Sequence, residues 1–240
     1  MVYDCITYNG EKDILDIRLA ILDPFVDYFI ICQSKQTFSG KEKEIYATPN
    51  NPKIVNIIAP NIDTDNAFER AFRQKEYLKT ALISCNDDDI IYYGDTDEIW
   101  KPQSVLDKVL SLEQINYCYY LNNRSSERWI GTIVGKWGVV KTNYLAHWRA
   151  THTYVVKEGG WHFTNMGGVE QIIKKLEAYD HQEYNTEYVK EDVEYRMSNG
   201  EDYVGRFTDS EGKPFSFNID ESELPSYTLS NKQKYVAYFK

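Results

Sequence analysis

The sequence predicts an α/β fold: a single domain with a mostly parallel central sheet flanked by helices, and a mixed second half. Three observations carry that expectation. Short apolar runs alternate with segments of helical periodicity through the first half, the order from which parallel strands and crossover helices are built. Runs such as Ile90 to Tyr93 stop against glycine or polar residues, as buried strands do. At 240 residues, with 42% hydrophobic and 15% aromatic side chains, the chain is long and apolar enough for one sizeable core.

Tyr3 to Tyr8 reads as the first strand. A helix from Asp13 to Leu22 follows, with Ile14, Ile17 and Ile21 on one stripe, Leu15, Leu19 and Leu22 beside it, and Pro24 just beyond. Tyr28 to Cys32 and Ile54 to Ile58 are the next strands. Phe68, Ala71, Phe72, Leu78 and Leu82 have the spacing of a long amphipathic helix from Asn66 to Ser84. Ile90 to Tyr93 is the fourth strand, and Pro102 opens a helix through Leu110. In the second half, Tyr117 to Leu121, Arg128 to Val134 and Trp137 to Lys141 read as strands. Val169, Ile172, Ile173 and Leu176 mark a helix, and another runs from Thr186 to Ser198, stopped by Gly200. There is no internal repeat or linker, so residues 1–240 read as one domain.

A formal charge of −10 argues against nonspecific binding to duplex DNA and against a polybasic membrane contact. A nucleic-acid partner is therefore not expected. Cys5, Cys32, Cys85 and Cys118 show no Cys-x-x-Cys spacing and read as reduced, mostly core, thiols. No signal peptide or membrane span is visible, which makes a cytoplasmic location the expectation.

Residues 87–98, Asp-Asp-Asp-Ile-Ile-Tyr-Tyr-Gly-Asp-Thr-Asp-Glu, carry the clearest chemical signal. Asp95 and Asp97 stand where the fourth strand ends, and ligands of open α/β sheets bind outside the carboxyl ends of strands. An Asp-x-Asp pair there suits a hard divalent cation, Mn²⁺ or Mg²⁺, held against phosphate oxygens. The bland reading is a solvated acidic turn.

A second cluster lies after residue 120. His147, His152, His162 and His181 are the only histidines of the chain. The run from Gly159 to Glu170 places an aromatic strand, with Trp161 and His162, between two Gly-Gly pairs. Gly167 and Gly168 then lead into a helix whose first turn holds Glu170. Glycines leave backbone amides uncovered, and a helix start favours an anionic group. Trp129, Trp161 and Tyr120 are candidate platforms for sugar rings, beside their default role in packing.

These residues resemble glycosyltransferase family 17, the family of the bisecting N-acetylglucosaminyltransferase of N-glycan synthesis. The resemblance runs through Tyr8-Asn9-Gly10-Glu11, Asp13-Ile14-Leu15, Val26 to Ile31 and Thr37 to Lys41. It continues through Asp88 to Ile91, Asp95-x-Asp97-Glu98-Ile99, Gly160-Trp161-His162-Phe163, Gly167-Gly168-x-Glu170, Lys175-Leu176 and His181-x-Glu183-x-Asn185. Where members usually carry an acidic residue before the serine ending the second strand, this chain has Gln33-Ser34. Vertebrate members also carry a membrane anchor, which is not expected here, so a microbial or viral member acting on a surface glycan is the nearer likeness.

The resemblance implies a GT-A-type fold and metal-dependent, inverting transfer from a nucleotide sugar. Residues 1–110 would then bind the nucleotide sugar and residues 111–240 the acceptor. Asp97, with Asp95 directly or through water, would hold Mn²⁺ or Mg²⁺ on the donor diphosphate, and His181 would add a ligand. Glu170 would be the general base on the acceptor hydroxyl. Tyr8, Asn9 and Glu11 would line the nucleotide pocket, with Arg73, Asp95, Trp161, His162, Gly167 and Gly168 as further donor contacts. Arg70 and Lys75 could also reach phosphate, and Arg18 could make a structural ion pair or touch ligand. UDP-N-acetylglucosamine or UDP-glucose is the expected donor, and a glycan or glycoconjugate the acceptor. Two alternatives stand beside this: a carbohydrate-binding protein without turnover, and a haloacid dehalogenase-type phosphatase. The phosphatase would want Thr or Val at Ile99 and its motif nearer the N-terminus.

Overall fold

β1 (Val2–Thr7) lies between β2 (Tyr28–Ser34) and β4 (Ile90–Asp95) and runs parallel to both. The computed structural model describes every residue except 106, 153, 207 and 209–211. β3 (Ile54–Ala59) joins β2, so the first half forms a parallel block in the order β3-β2-β1-β4. β7 (Asn123–Lys136) then pairs antiparallel with β4. β6 (Leu110–Cys118), β8 (Val155–Thr164) and β5 (Glu98–Trp100) continue the sheet, with β6 and β8 parallel. β9 (Phe217–Ile219) pairs with β7, making nine strands among the described residues, in one sheet that runs through both halves of the chain. This is the α/β architecture expected from the sequence, with a parallel first half and a mixed second half.

The apolar runs of the first strands arise because both faces of the block are covered. Ile6 and Tyr92 enter one core with Leu15 and Ile17 of α1 (Lys12–Leu22). Their neighbours Cys5, Ile91 and Tyr93 enter the opposite core, with Leu78, Leu82, Val140 and Leu145. Each fully buried Leu or Ile contributes about 1.5–3 kcal/mol of transfer free energy. α2 (Ala67–Glu76) starts at Asn66, whose side-chain oxygen accepts from Glu69 N at 3.1 Å. α5 (Gly168–Ala178) and α6 (Glu187–Asn199) share a third core around Ile172, Leu176 and Val193. α6 is capped by Thr186 and ends at Gly200 in the left-handed region, as its sequence predicts. No helix among the described residues is long and apolar enough to cross a membrane. All four cysteines are free thiols, with Cys5, Cys32 and Cys118 buried.

Four elements differ from the sequence-based expectation, one of them the strand expected at Tyr117 to Leu121, which instead starts at Leu110 and ends at Cys118. The described residues of 102–109 form no helix, residue 106 lying outside them, and Leu110 and Leu112 instead enter β6. Cross-strand partners on β7 and β8 claim those leucines, a nonlocal demand that local periodicity does not encode. Trp137–Val140 is a short helix, α3, rather than a strand. Trp137 and Val140, three apart, both face the core, and so short an apolar run fits either period. The helix expected through Ser84 gives way after Glu76 to a 3₁₀ stretch, Tyr77–Leu82, still seating Leu78 and Leu82 in the core. α4 (Leu145–Thr151), which carries Arg149, and α7 (Ser226–Ser230) are further short helices.

Candidate active site

The turn from Asp95 to Glu98 joins β4 to β5 at the carboxyl end of the parallel block, and a buried arginine fixes it. Arg18 of α1 is fully buried and donates to both carboxylate oxygens of Asp4, at 2.7 and 2.6 Å. Its remaining nitrogen donates to the backbone carbonyls of Asp95 (3.1 Å), Thr96 (3.3 Å) and Glu98 (2.7 Å). Thr96 Oγ1 donates to Thr7 O at 2.7 Å, tying the turn to the end of β1. Trp100 Nε1 donates to Asp4 at 2.8 Å. Arg18 is thus structural, the first of its two expected roles.

Asp97 projects beside β8. Its carbonyl accepts from Phe163 N at 2.8 Å, and its Oδ2 lies 3.6 Å from His162 Nε2 and 3.9 Å from Lys175 Nζ. Asn116 Oδ1, 3.0 Å from His162 Nδ1, holds the ring with Nε2 toward Asp97. Burial opposes the Asp97 charge, but His162 and Lys175 outweigh it and hold the carboxyl below its usual range. Asp97 Oδ1 has no partner among the described residues.

Asp95 is differently placed. Lys75 Nζ lies 3.3 Å from one of its oxygens and Arg149 Nη2 3.1 Å from the other. Burial again works against the charge, and Arg149 and Lys75 reverse it, so this carboxyl is strongly acidic. Arg149 also donates to Glu98 Oε1 at 2.7 Å, as does Trp129 Nε1 at 2.7 Å. Thr132 Oγ1 and Asp95 N donate to Glu98 Oε2 at 3.1 and 3.2 Å. Glu98 is therefore fully engaged in holding the wall of the site. A Cβ at Gly131 would overlap both Glu98 Oε1 and Trp129 Nε1, so glycine is needed there. The Trp129 ring stacks on His162 with centroids 4.7 Å apart.

The end of β1 reaches the same place. Asn9 N donates to Glu11 Oε2 at 2.9 Å. Crowding by surrounding protein raises the Glu11 carboxyl above its usual range; Asp97 adds to that shift and Lys175 opposes it. Burial, then Glu11, pushes the Tyr8 phenol up to about 12. The Tyr8–Glu11 loop thus lies at the same edge of the sheet as Asp95, Asp97 and His162, the crevice side expected from the strand ends.

Other candidates lie elsewhere or stand free. His181 is not beside Asp97: its Nδ1 sits 2.7 Å from Glu183 Oε1 and its ring packs on Phe68. His162 is the imidazole that the fold brings to Asp97, because β5 pairs residue 98 with residue 162. Arg73 is exposed and pairs with Glu69 one helical turn away, on the outer face of α2. Trp161, next to His162 on β8, donates from Nε1 to Glu223 O at 2.6 Å and carries Lys101 over its ring. Gly167 and Gly168, with φ of +93° and +78°, form the turn into α5, and Gly168 faces open space. Glu170 is exposed in the first turn of α5 without a partner. Arg149 escaped sequence reading, since no spacing links it to Asp95 or Glu98. An open cleft of about 560 Å³, lined by residues including Asp23, Pro24 and Asn51, lies at the amino ends of β2 and β3, away from these groups.

Among the described residues, no group of three or more His, Cys, Asp or Glu side chains could hold a metal ion by itself. The residues do fit a cation held in part by ligand: Asp97 keeps one oxygen open, and Mg²⁺ is commonly bound by one or two carboxylates plus substrate phosphates and water.

A search of curated proteins finds no match. Among solved structures, 2-C-methyl-D-erythritol 4-phosphate cytidylyltransferase from Francisella tularensis is similar at a TM-score of 0.37 and 14% identity, over 65% of this chain and 89% of that one. The family model for glycosyltransferase family 17 matches residues 1–237, a span that includes every group of the crevice described above. The chain belongs to glycosyltransferase family 17 and is a glycosyltransferase.

Proposed function

We propose that the chain moves a hexose or N-acetylhexosamine from a nucleotide sugar to a glycan-type hydroxyl, with inversion and with Mn²⁺ or Mg²⁺ at Asp97. The donor is UDP-linked, with N-acetylglucosamine or glucose as the sugar. The observation that carries this reading is the Asp97 carboxylate, anchored through its backbone just beyond β4, with one oxygen open and His162 and Lys175 beside it. When bound, the cation neutralises charge on the departing nucleoside diphosphate.

The chain's own groups do the rest. Arg18 and Thr96 hold the turn so that Asp97 cannot drift. Lys75, Arg149 and Asp95 form a clamp that keeps Asp95 ionised. His162 and Lys175 are positioned beside Asp97 to meet phosphate oxygens. Tyr8, Asn9 and Glu11 line the nucleoside side of the crevice. Glu170 takes the acceptor proton. It is an exposed carboxylate on the helix that also supplies Lys175, five residues on, and that follows the end of β8.

The test is release of UDP from UDP-N-acetylglucosamine and UDP-glucose, with Mn²⁺, with Mg²⁺ and in excess chelator. Cation-dependent release should be lost in Asp97→Ala. Full turnover in chelator, or an active Asp97→Ala enzyme, would remove the assignment.

A further inference from the structure

Beside the Tyr8–Glu11 loop lies an ammonium with nothing to bond. Lys43 Nζ is out of solvent and makes no hydrogen bond. A cation in that condition is costly unless some acceptor completes it. Glu11 is an acid whose field it feels, yet no ion pair joins the two. Burial pushes the Lys43 ammonium below its ordinary range, with Glu11 opposing. Its cover is the Tyr46 ring, whose centroid lies 4.8 Å from Nζ. Tyr46 is itself 39% exposed, so a ligand can reach the ring from solvent.

The segment is built into the end of the sheet. Gln33, near the end of β2, accepts from Tyr46 N and donates to Tyr46 O, both at 2.9 Å. Both ends of its amide hold residue 46, and Gln33 is itself buried. Lys43 N donates to Lys35 O at 2.9 Å. Tyr46 packs edge-on against Tyr8 with centroids 6.0 Å apart. Gly10, at φ +99°, passes so close that a Cβ would sit 2.8 Å from that ring. The carboxyl ends of β1 and β2 and the Lys43 segment therefore form one wall.

We propose that Lys43 reads the donor's nucleobase, its ammonium donating to a ring carbonyl of a base lodged against Tyr46. This rests on the nucleotide-sugar reading above. Strand order decides between base and phosphate. Asp97 follows β4, whereas Lys43 follows β2, with β1 between them. Adjacent strands lie about 4.8 Å apart, so the two sites are roughly 10 Å from each other along the crevice. A nucleotide whose diphosphate lies at Asp97 reaches Lys43 with its base.

Calorimetric titration of UDP, GDP, CDP and ADP in Mn²⁺ tests this on wild type and Lys43→Met, with a melting curve of each free protein. Adenine has no ring carbonyl. Wild type should bind at least one carbonyl-bearing nucleotide more tightly than ADP. Lys43→Met should weaken that nucleotide about ten- to a hundredfold, the loss of one charged hydrogen bond, and leave ADP unchanged. The free variant should melt no lower than wild type, because an unpaired buried charge has been removed. Unchanged affinity overturns the inference, and so does an equal loss for all four nucleotides, which would mean a phosphate contact. A lower melting point with unaltered binding overturns it as well, making Lys43 a structural partner of Glu11. If wild type binds none of the four, the donor reading itself fails and takes this inference with it.

Discussion

Arg18→Met is the sharpest test of how the Asp95–Glu98 turn is held. The substitution keeps a flexible apolar side chain of moderate length and deletes the guanidinium. Asp4, fully buried, would keep only its bond from Trp100 Nε1, and the carbonyls of Asp95, Thr96 and Glu98 would lose a shared donor. Removing one member of a buried ion pair costs about 3–5 kcal/mol, since the remaining charge is stranded. Whole domains are stable by only about 5–15 kcal/mol, so this one change removes a large share. At this chain length the cost corresponds to a fall in Tm of about 6–20 °C. Urea unfolding followed by tryptophan fluorescence measures it. Adding Asp4→Leu should recover part of the loss, because the stranded carboxylate is gone, while the three carbonyls still lack their donor. Arg18→Met within about 1 kcal/mol of wild type would refute the argument, since no stranded charge is that cheap.

Three further outcomes follow from the site and core. Burial pushes the Cys32 and Cys118 thiols up to about 12. In the unfolded chain they ionise near 8.5; their contribution is therefore complete below that pH and lost as pH rises toward 12, and urea midpoints measured from pH 7 to 10.5 should decline above about 8.5. In native protein at pH 8 both should resist alkylation while half-buried Cys85 reacts first, as peptide mapping by mass would show; rapid labelling of Cys118 would contradict this. Glu170→Gln should lower turnover at least about a hundredfold with donor affinity and Tm nearly unchanged, as loss of a base does. Near-normal turnover in steady-state assays would send the search for the base to Asp180 or Glu183.

The parallel block was legible because its strands are apolar runs buried on both faces, with helices between them of clear period. Val169 to Leu176 and Thr186 to Ser198 were legible for similar reasons, their caps being Gly167 and Thr186. The helix expected through Leu110 misled, because Leu110 and Leu112 answer to partners on β7 and β8 rather than to their neighbours in sequence. At the site, Asp95 and Asp97 could be placed from the strand that precedes them. Their partners could not. Arg149, Lys75 and His162 meet them only through tertiary packing, and His162 faces Asp97 because β5 doubles back along β8. Which of two histidines stands beside the acid is decided by strand pairing, which leaves no mark at either histidine in the sequence.

Charge balance bears on why this crevice would need a cation. The chain carries a formal charge of −10, yet Lys43, Lys75, Arg149 and Lys175 all converge here. Against them stand Glu11, Asp95, Asp97 and Glu98. Four cations and four acids leave the pocket near neutral, aside from His162. Arg149 answers both Asp95 and Glu98 through one nitrogen, so its single charge is already shared by two carboxylates, although its Nη1 is buried without a hydrogen-bond partner. A diphosphate entering such a site brings negative charge for which the side chains hold little surplus, in a setting where unpaired charge is expensive. A divalent ion at the open oxygen of Asp97, as proposed above, would supply that missing charge without breaking the Asp95 clamp. The same reasoning separates the two carboxylates of the motif: Asp95 already has its cations, and Asp97 is the one left with an oxygen to offer.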